Sequence, residues 1–354
     1  ELAHAEEHVV VLHHRLTGDF KNAKGLAQAI GEKCGASLVV RDIRLRSRLL
    51  EPAARLLLGR MHKFRSNTLK RFLFRLFFHD KDGRGLVPTT ICVVSTLGAG
   101  EIPNAFYSAA TGAIGVHLGR PKRVPHAHFD LVIAHQGHEA NDCEVVLPIS
   151  PSPIFRRTFQ CHESRTSMLL AIGGNANDAS FPDEFWPHLT ERALEVARLL
   201  GRQCVITTSP RTGTALEDSI ETRMHEMKYQ PDQMVMYGRG ERTTMEELLQ
   251  TAGLVIVSAE SVSMISAAIA SGARVAAAYW SEPPASSRIS NFLREQEAAR
   301  RLVLWDLSKS KAPDFDGVVP MDHCWSEVLW PALADVLAER QRRVLHCAAV
   351  HSIV

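Results

Sequence analysis

Ser258-Ala259-Glu260-Ser261-Val262-Ser263 is the stretch of this chain best equipped for chemistry. Before it lies an apolar, β-branched run at 254–257, which reads as a buried parallel strand. After it comes a helix of small residues at 264–270, stopped by Ser271-Gly272. Residues 275–278 begin another buried strand. A strand–loop–helix–strand unit of this kind ends its loop at a helix N-terminus. There, free N–H groups and the positive end of the helix dipole suit a phosphate. The same serines suit helix capping equally well, so the unit alone leaves both readings open. Arg211 stands in a comparable loop, Thr208-Ser209-Pro210-Arg211-Thr212-Gly213, after the strand pattern at 203–208. An arginine there pairs a phosphate through two parallel hydrogen bonds or stands solvated. Acid–base candidates gather in three other post-strand loops: His14 and Asp19, Glu101, and His135 with His138. Asp19 also fits a helix cap, and the sequence does not say which of these groups share a cleft.

The elements that must position these residues repeat one pattern. Residues 9–12 read as a strand, 22–31 as a helix with Ala23, Leu26, Ala27 and Ile30 on one side, and 37–40 as the next strand. This βαβ opening puts the His13–Asp19 loop at the carboxyl end of its first strand, where open α/β sheets bind ligands. Strands at 90–95, 115–118 and 129–134 and a helix at 103–111 continue the pattern. Pro148, Pro151 and Pro153 then stiffen the chain, and a linker is expected over 151–164. A second α/β series opens with a strand at 167–172, ending at Gly173-Gly174-Asn175. It continues through a helix at 185–200, short elements at 234–237 and 243–251, and a strand at 302–305. A terminal helix is expected over 325–345. The expected organisation is therefore an N-terminal Rossmann-like domain at 1–150, a linker, a second such domain at 165–322, and a final helical segment at 323–354.

Length and composition agree with two domains: 354 residues exceed one ordinary core, and 45% hydrophobic content is normal for a globular chain. The seven cysteines are dispersed, with no metal-like spacing, and point to reduced thiols in a cytoplasmic setting. No ligand spacing for a metal occurs among the seventeen histidines. No run reaches transmembrane length, and no signal-peptide pattern is present. A net charge of +2 does not mark a nucleic-acid binder. Residues 41–84, however, hold thirteen Lys/Arg against four Asp/Glu, interleaved with Leu, Phe and Met. This basic amphipathic insert reads as an interfacial surface for an anionic membrane, with Phe72, Phe74, Phe77 and Phe78 among the apolar anchors. The competing reading is a pair of amphipathic helices packed on the N-terminal domain with solvated arginines. No nucleic acid is expected as a partner, because the apolar content is too high for a phosphate-tracking surface.

Glu260-Ser261-Val262-Ser263-Met264-Ile265-Ser266, followed by Ala270-Ser271-Gly272, resembles the nucleotide-site segment of the ELM (elongated mitochondria) family. That family is named for a plant mitochondrial-fission factor, is mostly bacterial, and is assigned to the GT-B glycosyltransferases. His128-Phe129-Asp130-Leu131-Val132-Ile133, Ile172-Gly173-Gly174 and Thr208-Ser209-Pro210-Arg211-Thr212 are similar to further family blocks in the same order, from about Gly18 to about Phe292. The resemblance implies an α/β fold of two Rossmann-like domains facing across a cleft, with a C-terminal helix that crosses back to the first. It implies sugar transfer from a nucleotide-sugar without a metal or other cofactor, nucleoside diphosphate being a product. Gly173, Gly174, Asn175, Ser209, Arg211, Thr212, Glu260, Ser261, Ser263 and Ser266 would hold the donor. Asp19, then His14 or Glu101, would take the proton of the acceptor, a lipid-linked or envelope glycan. The protein would then be cytoplasmic and peripheral on the inner face of a membrane. Two departures stand out. The family's Glu after the last Ser of the run, the expected ribose partner, is Ala267 here, and its Pro-Gly-His loop is Thr17-Gly18-Asp19. The missing carboxylate supports an alternative, a catalytically inactive GT-B fold acting as a membrane adaptor or an organelle- or cell-division factor. A nucleotide-sugar epimerase would need more carboxylates near the cleft.

Overall fold

The computed structural model describes residues 6–351 apart from 14–16, 62–63, 65, 84, 97, 99, 136–144, 155–163, 177–178, 228–229, 285 and 310. Most of the expected linker therefore lies outside the described residues. The chain divides into two compact units. One comprises residues 1–135, 139–155 and 325–354, and the other 136–138 and 156–324.

The first unit is built on β1 (His8–Leu12), α1 (Thr17–Cys34) and β2 (Ser37–Arg41). A small layer follows: β3 (Ile43–Leu45), α2 (Glu51–Leu58), α3 (Asn67–Phe77) and β4 (Phe78–Asp80). The series resumes with β5 (Thr90–Thr96), α4 (Glu101–Thr111), β6 (Ile114–Leu118), β7 (Leu131–His135) and β8 (Val145–Leu147). Among the described residues the main sheet has the order β2-β1-β5-β6-β7-β8, parallel throughout, and β3 pairs antiparallel with β4 apart from it. Val9 to Val11, Val93 and Val94 are fully buried, as expected of strands covered on both faces.

α4 is held to this sheet by a polar knot. Asn104 Nδ2 donates to Val116 O at 2.9 Å and to Ser95 Oγ at 2.8 Å, and Ser95 Oγ meets His117 Nδ1 at 2.9 Å. Burial, then the charge of His126, pushes the His117 pKa down to about 3, so the ring stays neutral.

The second unit contains β9 (Ser167–Ala171), α5 (Phe185–Leu199), β10 (Gln203–Thr207), α6 (Gly213–Met227) and β11 (Gln233–Val235). It goes on through α7 (Met245–Leu249), β12 (Ala252–Ser258), α8 (Val262–Ala270), β13 (Arg274–Tyr279), α9 (Ser287–Ala298) and β14 (Leu302–Asp306). Its sheet has the order β11-β10-β9-β12-β13-β14, again all parallel.

Finally α10 (Trp325–His351) returns to the first unit. Trp325 is fully buried and donates from Nε1 to Ile154 O at 2.8 Å, and Arg340 Nε donates to Gly112 O at 3.1 Å. Nearby, α1 lies so close to the 152–153 backbone that a Cβ on Gly25 would stand 2.3 Å from Ser152 C. Truncating Trp325 removes a whole buried ring and leaves Ile154 O with only the longer bond from Ser152 Oγ, at 3.2 Å. Trp325→Ala is expected to lower stability by about 3–5 kcal/mol, and Trp325→Phe by less, as read from denaturant unfolding.

Candidate functional site

In the second sheet the strand order reverses between β9 and β12, since successive strands step outward from this pair in both directions. The carboxyl ends of two such strands leave a crevice between their loops, which is where open α/β sheets bind ligands. The loop after β9 is Gly173-Gly174-Asn175, and the loop after β12 is Ala259-Glu260-Ser261, leading into α8. β10, next to β9, supplies the third loop, Thr208 to Thr212.

The three loops meet in a small polar cluster. Gly173 N donates to Ser258 Oγ at 2.9 Å, and that hydroxyl donates to Glu260 Oε1 at 3.1 Å. Arg211 Nη2 donates to Ser261 Oγ at 3.2 Å and lies 3.7 Å from Glu260 Oε1. Ser209 Oγ donates to Gly173 O and accepts from Arg211 N at 3.1 Å. Thr212 Oγ1 donates to Ile172 O at 3.2 Å and accepts from Ser209 N at 3.0 Å, closing the loop. Both glycines permit a close approach, and Gly174 is sterically required. A Cβ on Gly173 would stand 2.0 Å from Glu260 Oε1. Gly174 has φ +85°, and its Cβ would stand 2.8 Å from the Arg211 carbonyl carbon.

Ser261 begins α8 without capping it: its side chain makes no cap hydrogen bond and instead accepts from Arg211. The helix start is thus left to a ligand or to water. Glu260 is buried beside it, and its Oε2 finds no hydrogen-bond partner among the described residues. Burial pushes its pKa up to about 7, against the opposing pull of its own backbone N–H, Arg211 and Ser258. Near neutrality this carboxyl is therefore divided between its protonated and ionised forms, 3.7 Å from the guanidinium of Arg211, whose side chain is 39% exposed.

The other candidates divide. Ser263 is half-buried in the first turn of α8, and Ala267, four residues on, shares its face at 7% exposure, with a methyl where the resemblance expects a carboxylate. Ser266 is fully buried. Asn175 is exposed and folds its own loop, accepting at Oδ1 from Phe181 N at 2.8 Å. In the first unit the strand order reverses between β1 and β5. Asp19 falls in the first turn of α1, after β1, but its side chain and that of His135 lie outside the described residues, as do His14 and His138 altogether. Glu101 is fully buried and accepts three backbone N–H groups: Gly98 at 3.1 Å, Lys122 at 2.9 Å and Arg123 at 2.6 Å. It fastens two loops together. Sequence patterning gives no hint of Glu217, a buried carboxylate on α6 that accepts from Thr208 Oγ1 and from Gly238 N at 2.8 Å. It holds the turn at 237–239 against the end of β10.

A family model described as Mitochondrial fission ELM1 matches residues 17–316. No curated protein matches the chain. Among solved structures, UGT71G1 of Medicago truncatula, complexed with UDP-glucose, is similar at 9% identity and TM-score 0.42, over 94% of this chain and 90% of that one. A UDP-glucosyltransferase of Polygonum tinctorium is similar at 10% identity and TM-score 0.43, over 96% and 93%. An α,α-trehalose-phosphate synthase (UDP-forming) of Burkholderia vietnamiensis gives 11% identity and TM-score 0.37, over 96% and 92%.

Glu260 makes a signed prediction for stability. Its pKa is raised on folding from about 4.3 in a free chain to about 7, so the folded form holds its proton more tightly. The resulting stabilisation is complete below the unfolded value and is lost as pH rises through about 7. Glu260→Gln cannot ionise. Its stability relative to wild type should therefore climb by about 3 kcal/mol between pH 4 and pH 8 in parallel urea titrations. A difference that stays flat would mean the carboxyl is solvated.

Proposed function

The chain belongs to the mitochondrial fission ELM1 family, and from that premise we propose that it moves a sugar from a nucleotide-sugar to an acceptor hydroxyl. The observation that carries the reading is the meeting of Arg211 and Ser261, 3.2 Å apart, at the uncapped start of α8. As the bond to the anomeric carbon breaks, negative charge grows on the departing nucleoside diphosphate. Arg211, Ser261, Ser263 and the first N–H groups of α8 would take up that charge, holding the transition state more tightly than the bound donor. A helix start and a guanidinium serve here where other enzymes use a divalent cation. Gly173 and Gly174 let the loops come close, Ser209 and Thr212 fix the Arg211 loop, and Ser266 and Asn175 support the helix and loop behind it.

The proton of the acceptor hydroxyl is assigned to Asp19, at the start of α1, with His14 as its neighbour in sequence. Glu101, already engaged by three backbone donors, keeps a structural part in this scheme. The acceptor class that suits the chain is a lipid-linked or envelope glycan. Ala267 favours a second reading, in which the chain has lost transfer and acts as a membrane adaptor or division factor, because no carboxylate stands one turn beyond Ser263 to hold the ribose. The two readings part on one assay: nucleoside diphosphate released from a nucleotide-sugar panel in the presence of membrane glycolipid supports transfer, and binding without release supports the adaptor.

Two measurements test the donor site. Arg211→Ala should weaken nucleoside diphosphate binding by about 1.5–3 kcal/mol in calorimetry, the size of a hydrogen bond to a charged group. An unchanged affinity in a folded variant would leave Arg211 as a loop residue. Bound diphosphate also competes with ionised Glu260 for the guanidinium, so binding favours the protonated carboxyl. Wild-type affinity relative to Glu260→Gln should therefore fall as pH rises above about 7, by up to tenfold per unit. The comparison with the variant cancels the titration of the ligand itself.

A further inference from the structure

The insert at 41–84 sorts into three faces that the sequence runs together. On α3, successive residues turn by about 100°. Leu73, Phe74 and Phe77 fall in one sector and are buried, and Phe78, at the start of β4, is buried with them. Phe74 meets Tyr107 edge-on at 5.5 Å, and Phe78 meets Phe106 at 5.2 Å. Three of the four phenylalanines expected at an interface are thus core residues packed on α4, because α3 needs them to close the first unit. Phe72 is not. With Leu69 and Leu76 it forms an apolar stripe about 60° wide, these residues being 60%, 40% and 51% exposed. Arg71 and Arg75, both exposed, run alongside that stripe.

Arg46 extends the basic border, since its Nε donates to Arg75 O at 3.1 Å. The turn that follows carries Arg48 and Leu49, the latter 89% exposed and within about 10 Å of chain of that contact. Residues 46–77 contain nine Lys/Arg and one acid, Glu51, in a chain whose whole net charge is +2. That acid is neutralised locally, 2.5 Å from Arg55 and 3.7 Å from Arg123. No helix among the described residues is long and apolar enough to cross a membrane.

We propose that this face, the Leu69–Phe72–Leu76 stripe of α3 with Leu49 and its arginine border, docks the protein on an anionic lipid surface. Apolar side chains of this size enter the acyl boundary while guanidiniums meet the headgroup phosphates, each basic residue strengthening binding by about fivefold at most. Charge selects this occupant over a second copy of the chain. A two-fold contact pairs a patch with itself, which would set arginine border against arginine border. Nucleic acid has no use for the apolar stripe.

Co-sedimentation with phosphatidylcholine vesicles, with and without phosphatidylglycerol, tests the proposal. The wild-type protein should partition at least about tenfold better into the anionic vesicles. Salt at about 0.5 M should weaken this binding without abolishing it, since screening acts on the charges alone. Leu69→Ser/Phe72→Ser/Leu76→Ser should remove the salt-resistant part, and Arg71→Glu/Arg75→Glu the preference for anionic lipid. Melting curves check that both variants fold, and Leu49→Ser/Phe72→Ser serves if the triple variant does not. Wild-type protein that ignores anionic vesicles overturns the proposal. So does a folded triple variant that still sediments in high salt, or a wild-type dimer that the triple variant disperses without any vesicle binding.

Discussion

The candidate site rests on one close approach, that of the Glu260 carboxylate to the bare backbone of Gly173. A Cβ at Gly173 would stand 2.0 Å from Glu260 Oε1, so any larger residue there would push the carboxylate out of its place. Ser258 bridges the two, Arg211 leans over them, and Ser261 is drawn off its capping duty towards the guanidinium. Three loops from β9, β10 and β12 are tied at this point. The tie sits at the reversal of strand order, where the connections after β9 and β12 leave toward opposite faces of the sheet and open a crevice between them. A buried carboxylate with one unpartnered oxygen is expensive. Its position beside a cation and an open helix start is a local conflict of the kind that makes this cluster the candidate site.

Much of this was legible in the order of residues. Buried parallel strands are continuous apolar runs, so 254–257, 90–95 and 203–208 could be read within a residue or two of β12, β5 and β10. Glycine pairs and the serine-rich helix start pointed to the same three loops that the fold ties together. Other features left weaker traces. α6 buries only Glu217, Ile220 and Met224 over fifteen residues, too sparse a stripe to stand out as a helical period. β3, β4 and β8 are three residues each, and strands that short carry no alternation. The Ser95–His117–Asn104 knot is written as isolated polar letters inside apolar runs and becomes visible only when β5 and β6 lie side by side. Within residues 41–84 the order of residues could not divide the aromatics, and Phe74, Phe77 and Phe78 prove to be the packing of α3 on α4 while Phe72 stays exposed.

The two units use the same sheet plan for different ends. In the second, the carboxyl edge is crowded with serines, glycines and one arginine, all small or forked groups that let backbone reach a ligand. In the first, the described side chains at that edge are engaged internally: Glu101 with three backbone donors and Asn104 with strand carbonyls. Its distinctive addition is the helical layer between β2 and β5.

The return of α10 to the first unit has a consequence for how the chain is made. Trp325 reaches Ile154 across 171 positions, and Arg340 reaches Thr90 across 250. On a ribosome adding about 5–20 residues per second, the first unit waits roughly 10–30 s between the emergence of Ile154 and that of Trp325. The second unit has all its strands within one uninterrupted stretch of the chain. The earlier half of the molecule is therefore the later one to finish. During that interval the first unit still lacks its last helix, so it is the nascent N-terminal half that stays longer exposed to aggregation.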